Sequence, residues 1–187
     1  KHHPEFLLHQ WVEEGKRQRW SQGELPTIAD PALRPYADRE VYEFEILRHH
    51  NFFNYFLVVA DLVRWARQEN ILCVARGSCG GSLLCWYLGI TELDPIKHDL
   101  PVERFIGFHR KGLPDIDLDV DSRHRDRFYE YLQDKYGADH CAQIAALSRE
   151  YVAMEQTAGV FSSTIDRLGA KLEEAEESIA ELTDQRD

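Results

Sequence analysis

Basic charge is what this chain is short of: across 187 residues, 22 Lys and Arg face 33 Asp and Glu, a net charge of −11. That balance excludes a simple non-specific nucleic-acid binder, whose affinity comes from lysine and arginine set against phosphates. Long apolar runs are missing as well. No apolar stretch approaches the roughly 18 residues that suggest a membrane span, and Lys1-His2-His3-Pro4 lacks the basic-then-apolar pattern of a secretory leader. Neither membrane insertion nor export is expected, and the expected compartment is the cytoplasm. Cysteines are few and carry no CxxC spacing. Cys73, Cys79, Cys85 and Cys141 read as buried reduced thiols, since three of them lie in apolar or glycine-rich surroundings, and not as zinc ligands.

The acid is unevenly spread. Residues 151–187 hold 9 Asp and Glu against 3 Lys and Arg, which is over half of the excess. Upstream, bases cluster at Lys16/Arg17/Arg19, Arg64/Arg67, Arg104/Arg110/Lys111 and Arg123/Arg125/Arg127, so local basic surface is available. With 43% hydrophobic residues the chain can bury the core of one domain with an appendage.

The most informative segment runs Pro114-Asp115-Ile116-Asp117-Leu118-Asp119-Val120-Asp121. A period of two places Ile116, Leu118 and Val120 on one face of an extended strand and the four aspartates on the other. Like charges in a row repel and call for a counter-charge. Hard divalent cations such as Mg²⁺ take carboxylate oxygens while keeping positions for water and substrate phosphates, and two aspartates two residues apart can supply them. A solvated acidic strand end or a small structural Ca²⁺ loop are the alternatives at this point.

Helical periodicity covers Phe6 to Arg19, Arg39 to His50 (with Val41, Phe44, Ile46 and Leu47 apolar) and Phe52 to Gln68. The proline-rich segment from Thr27 to Pro35 reads as a loop. Ile71-Leu72-Cys73-Val74 reads as a short buried strand, followed by Ala75-Arg76-Gly77-Ser78-Cys79-Gly80-Gly81-Ser82 and a helical run from Leu83 to Leu88. Strand, glycine-serine loop and helix form a phosphate-binding layout: glycines admit an anion, the helix start offers unpaired N–H groups, and Arg76, Ser78 and Ser82 add donors. A tight turn that only caps a helix is the plainer reading. Arg123 to Tyr136 reads as a helix with Gly137 as its C-cap, and Cys141 to Ile144 as another strand. A phosphate-type loop upstream of an acidic metal-type strand on one α/β sheet is what nucleotidyl transfer requires.

Taken together, Tyr55-Phe56-Leu57, Arg76-Gly77-Ser78, Leu88-Gly89-Ile90-Thr91-Glu92-Leu93-Asp94-Pro95, Glu103-Arg104-Phe105 and Pro114 to Asp119 resemble the palm of the bacterial replicative DNA polymerases of family C, the polymerase III alpha subunit. The resemblance covers residues 5–146 and fades after Ala146. It implies an α/β fold with the polymerase-beta-like nucleotidyltransferase topology, a mixed sheet with flanking helices. It places two Mg²⁺ ions, for which Mn²⁺ can substitute, on Asp115 and Asp117, with Asp119 and Arg110 as accessory residues. Arg76, Gly77, Ser78 and Ser82 are implied contacts to the triphosphate. The implied reaction is template-directed attack of a primer 3′-hydroxyl on the α-phosphate of a deoxynucleoside triphosphate, with metals about 3.5–4 Å apart. Primer–template DNA and nucleotide are the implied partners, and sliding clamp and other replisome subunits would reach regions outside these residues. Ala75 and Cys79 stand where the family loop has glycine. The family's third metal carboxylate and its fingers have no counterpart here, so this segment alone is expected to be inactive.

Residues 1–50 are thus expected to form the N-terminal helical part of the palm, 51–146 its core, and 147–187 a long acidic helix or coiled coil in place of the thumb. In that last part Tyr151, Met154, Ala158, Phe161, Ile165, Leu168, Leu172, Ala175, Ile179 and Leu182 alternate by three and four, a heptad pattern suited to self-association. A solvated helix packed on its own domain is equally compatible. A catalytically inert metal- or nucleotide-binding scaffold with a coiled-coil interaction tail is the competing functional reading.

Overall fold

The computed structural model describes residues 3–110 and 112–141. The chain divides into a unit ending at Leu132 and another beginning at Gln133. The first unit carries the core. The first helix, α1, spans Pro4–Ser21 and has Pro at its first position, Glu5 in its first turn and Arg19 in its last, an arrangement that suits the helix dipole. Its buried residues Leu8, Val12, Gly15 and Arg19 recur at four-three-four spacing. A 3₁₀ turn at Pro31–Leu33, within the segment expected to be loop, leads into α2, Arg34–His50, which stops at Asn51 in the left-handed conformation (φ 58°). The next helix, α3, spans Phe53–Gln68 and buries Phe53, Phe56, Leu57, Ala60 and Val63.

At the centre lies α4, Leu83–Tyr87, whose five residues are all buried. A helix apolar on every side needs neighbours all round, and α1 and α2 both pack on it. Contact with α1 is so close that a Cβ on Gly15 would lie 1.8 Å from the Tyr87 carbonyl oxygen. The buried Arg19 guanidinium donates to the Trp86 carbonyl at 3.0 Å, satisfying an acceptor at the end of α4.

The two strands, β1 (Cys73–Arg76) and β2 (Asp117–Val120), form an antiparallel two-stranded sheet. The fold is therefore mixed α/β but mostly helical, with a smaller sheet than the sequence suggested among the described residues. The first strand also begins two residues later than expected and is not fully buried: Leu72 is 71% and Val74 44% exposed. Ile71 is buried as expected, but its N–H closes the end of α3 on the Ala66 carbonyl and not a sheet ladder. Val41, expected on the apolar face of α2, is exposed. The inner face of the sheet carries Cys73, Ala75, Leu118 and Val120, packed on the core and on a second cluster of Leu62, Ala66, Ile71 and Phe128. Phe128 belongs to α5, Arg125–Tyr136, whose Tyr131 stacks at 4.5 Å on Trp65 of α3. Of the second unit, residues 133–141 are described: the end of α5, Gly137 (φ 93°), whose N–H bonds the Gln133 carbonyl as a C-cap, and a 3₁₀ turn at Ala138–His140. The strand expected to continue through Ile144 and the heptad segment from Tyr151 lie outside the described residues.

Candidate functional site

Strand pairing brings the two sequence motifs together. In the register of the sheet, Ala75 faces Leu118 and Cys73 faces Val120 on the inner side, while Arg76 faces Asp117 and Val74 faces Asp119 on the solvent side. The alternation read from the sequence thus holds for Asp115, Asp117 and Asp119, all exposed, against the half-buried Ile116, Leu118 and Val120. Asp121 does not continue the row. The strand ends at Val120, and the Asp121 carboxylate caps the following 3₁₀ turn through the Arg123 N–H at 3.0 Å. The Arg123 side chain also bonds it, at 2.6 Å, and these bonds hold its carboxyl well below the usual range.

The loop after β1 is a 3₁₀ turn, Gly77–Gly81. Gly77 has φ +82°, and a Cβ there would sit 3.6 Å from the Asp117 Oδ2, so the loop passes directly over that carboxylate. Arg76 and Ser78 are exposed. Arg76 Nε lies 3.0 Å from Asp119 Oδ1, a solvent-facing pair with 67% and 63% side-chain exposure. Ala75 and Cys79, expected from the resemblance to stand in place of glycines, point away from this surface. Ala75 lies on the inner face opposite Leu118, and Cys79 is buried with its thiol donating to the Arg76 carbonyl at 3.2 Å. Burial pushes that thiol's pKa up.

The C-terminal half of the loop differs from the sequence expectation. Ser82 is fully buried, and its hydroxyl donates to Glu43 Oε2 at 2.7 Å while accepting from the Cys85 N–H at 3.1 Å. The N–H groups of Leu83 and Leu84 also donate to Glu43, at 2.8 and 3.1 Å. The start of α4 therefore offers neither free N–H groups nor the Ser82 hydroxyl to an outside anion, because an internal carboxylate already takes them. Burial pushes the Glu43 carboxyl up to about 7, against the opposing pull of Ser82, the two N–H groups and Arg39. Sequence reasoning missed Glu43. Its signal was a carboxylate within the buried stripe of α2, beside Phe44, Ile46 and Leu47.

Tyr55 of α3 stands behind the aspartate segment. Burial pushes its phenol up to about 12, with the Ile116 backbone bond opposing and the Asp115 charge adding. Arg110 turns back on its own loop, donating to the carbonyls of Arg104 and Phe105 at 2.9 and 2.6 Å. Among the described residues no salt bridge engages Asp115 or Asp117, and no group of three or more His, Cys, Asp or Glu side chains is gathered for a metal. The donor set is two exposed carboxylates. Such a set fits Mg²⁺, which is held by one or two carboxylates and completes its shell with water and substrate phosphates. No helix of the described residues is long and apolar enough to cross a membrane.

The model of the bacterial DNA polymerase III alpha NTPase domain family matches residues 7–185. An error-prone DNA polymerase of Mycolicibacterium paratuberculosis is 40% identical over 144 residues, which cover 77% of this chain and 12% of that protein. The DNA polymerase III subunit alpha of Aquifex aeolicus is 38% identical over 146 residues, 75% of this chain and 12% of the relative. That of Mycoplasma pneumoniae is 45% identical over 115 residues, 61% of this chain and 13% of the relative. The chain thus spans about an eighth of the length of these relatives. The family match also continues through the acidic segment, past Ala146 where the resemblance was expected to fade. With nearly the whole chain matched, and with the loop and aspartate motifs carried on one small sheet, the chain belongs to the bacterial DNA polymerase III alpha family.

Proposed function

We propose that this chain is the palm segment of a DNA-directed DNA polymerase and that the solvent face of the sheet is its nucleotidyl-transfer site. The observation that carries the reading is the antiparallel register that sets Arg76 opposite Asp117, joining a phosphate-type loop to a metal-type strand. Asp115 and Asp117 are the metal ligands. Mg²⁺, or Mn²⁺ in its place, supplies activation of the primer 3′-hydroxyl and neutralisation of the pyrophosphate leaving group when bound there.

The remaining work is positioning and charge. Arg76, Gly77 and Ser78 take the triphosphate: Gly77 lets the backbone approach, and the two exposed side chains donate. A solvent-exposed pair such as Arg76–Asp119 is worth only about 0–1 kcal/mol, so a triphosphate can displace Asp119 at little cost and gain stronger charge-assisted bonds. Asp119 is in this way an accessory residue that keeps Arg76 over the carboxylates before nucleotide arrives. Ser82 acts from within the loop, and Arg110 shapes the segment leading to Asp115. Residues 1–50 and 51–146 are the helical part and the core of the palm, and the acidic segment 147–187, whose heptad spacing suits self-association, lies outside the described residues. Template-directed synthesis, primer–template DNA and nucleotide as substrates, and clamp or replisome partners belong to the full-length protein, whose compartment is the bacterial cytoplasm. These residues by themselves are inactive on this reading, since template-directed transfer needs more than the carboxylates of Asp115 and Asp117. The test is primer extension by the full-length protein. Asp117→Asn is expected to lower single-turnover extension by about 10³-fold, the several-kcal/mol scale of metal-ion charge stabilisation, and a wild-type rate would refute the assignment.

A further inference from the structure

We infer that Arg39 and Glu43 of α2 are positioning residues of the phosphate loop, clamping its C-terminal end so that Arg76 and Ser78 are presented in one fixed geometry. The inference rests on the proposed nucleotide site. Both residues reach the same stretch of backbone. Arg39 Nη1 donates to the Gly81 carbonyl at 3.1 Å and to the Leu100 carbonyl at 3.3 Å. Glu43 accepts from the Ser82 hydroxyl and from the N–H groups of Leu83 and Leu84. One helical turn separates the two side chains, and Arg39 Nη1 stands 3.8 Å from Glu43 Oε1.

Helix capping alone does not account for the carboxylate. Ser82 already caps α4 through the Cys85 N–H, and a helix of five residues gains little from a second cap brought by another element. Burying a carboxylate is costly unless its partners are well placed, so a fully buried Glu43 is explained by what it fixes. Because the Ser82 oxygen accepts from Cys85, its hydrogen is committed to Glu43, and the hydroxyl rotor is locked. Gly81 is wedged as well: a Cβ there would lie 2.5 Å from the Pro101 carbonyl oxygen. The loop is thus anchored at one end by strand pairing at Arg76 and at the other by the α2 pair, and the exposed residues lie between the anchors.

The experiment is steady-state primer extension by the full-length protein, with KM for the deoxynucleoside triphosphate and kcat measured for Glu43→Gln, Arg39→Lys and Asp117→Asn. Glu43→Gln keeps the shape but cannot accept all three bonds, and is expected to raise KM about tenfold with kcat within threefold of wild type. Arg39→Lys keeps the charge but loses the forked donor, and is expected to raise KM at least threefold. KM is independent of the folded fraction, so a partly unfolded preparation still reports it. Asp117→Asn inactive with KM unchanged in both α2 variants would overturn the clamp alone. Asp117→Asn extending at the wild-type rate would overturn the site and the clamp with it.

Discussion

Glu43 is a single side chain with consequences for stability as well as for the loop. Its folded pKa, about 7, lies above the ordinary 4.5, so between those values the folded state binds more protons than the unfolded state. Stability gained from this group is complete below about pH 4.5 and is lost as pH rises through about 7, a change of up to about 3 kcal/mol. The groups facing it are Arg39, the Ser82 hydroxyl, the N–H groups of Leu83 and Leu84, Cys85 and Tyr87. Subtracting the Tm of Glu43→Gln from that of wild type across pH 4–8 isolates the effect, and the difference is expected to shrink steadily over that window. A difference that grows with pH would mean that the three donors and Arg39 outweigh burial. The Cys79 thiol faces inward on the Arg76 carbonyl, so this side chain leaves the exposed half of the loop unobstructed.

Among the elements, the tightest seam is the crossing of α1 on α4. Gly15→Ala would drive a Cβ into the Tyr87 backbone, and strain of this kind costs about 1–3 kcal/mol or more. Gly80→Ala meets nothing within 4 Å and is expected to stay within about 0.5 kcal/mol of wild type. Denaturant midpoints of the two variants compare them directly. Most helices were legible because their apolar residues recur every three or four positions over four turns or more, as in α3. The alternation of Asp115 to Val120 was legible for a similar reason, since one face of a sheet is covered and the other wet. What sequence could not supply is partnership. Nothing in Ile71 to Val74 tells a fully buried strand from one half-covered by a two-stranded sheet. Nor does a glycine-serine turn reveal that a carboxylate 39 residues upstream of Ser82 already occupies the helix start. Asp121 left the row because its carboxylate turns to cap the following turn on the Arg123 N–H, although its own N–H still bonds the Leu72 carbonyl.

For the whole molecule, the net charge of −11 is compatible with the proposed DNA substrate because of its location: a large part sits in residues 151–187, and part of the rest is the aspartate row itself. The heptad positions of that acidic segment carry their own expected outcome. If Leu168, Leu172 and Ile179 form a seam between copies, Leu172→Asp places a charge in it, and a concentration-dependent oligomer becomes a monomer that still melts cooperatively. Sedimentation velocity over a hundredfold concentration range reads this directly. A wild-type chain that stays monomeric throughout would assign the heptad to packing within its own chain.

If Asp115 and Asp117 jointly seat a divalent cation beneath the Arg76 loop, a Mn²⁺ titration of this chain followed by the free-ion electron paramagnetic resonance signal will register its capture. Asp115→Asn and Asp117→Asn are each expected to abolish binding while barely changing Tm in metal-free buffer, because relieving repulsion between the carboxylates offsets any bond lost. Asp121→Asn is expected to bind Mn²⁺ as wild type does and to change Tm little, because the amide oxygen still accepts from the Arg123 N–H and only an exposed ion pair is lost. Equal Mn²⁺ affinity in all three variants and the wild type would contradict the account.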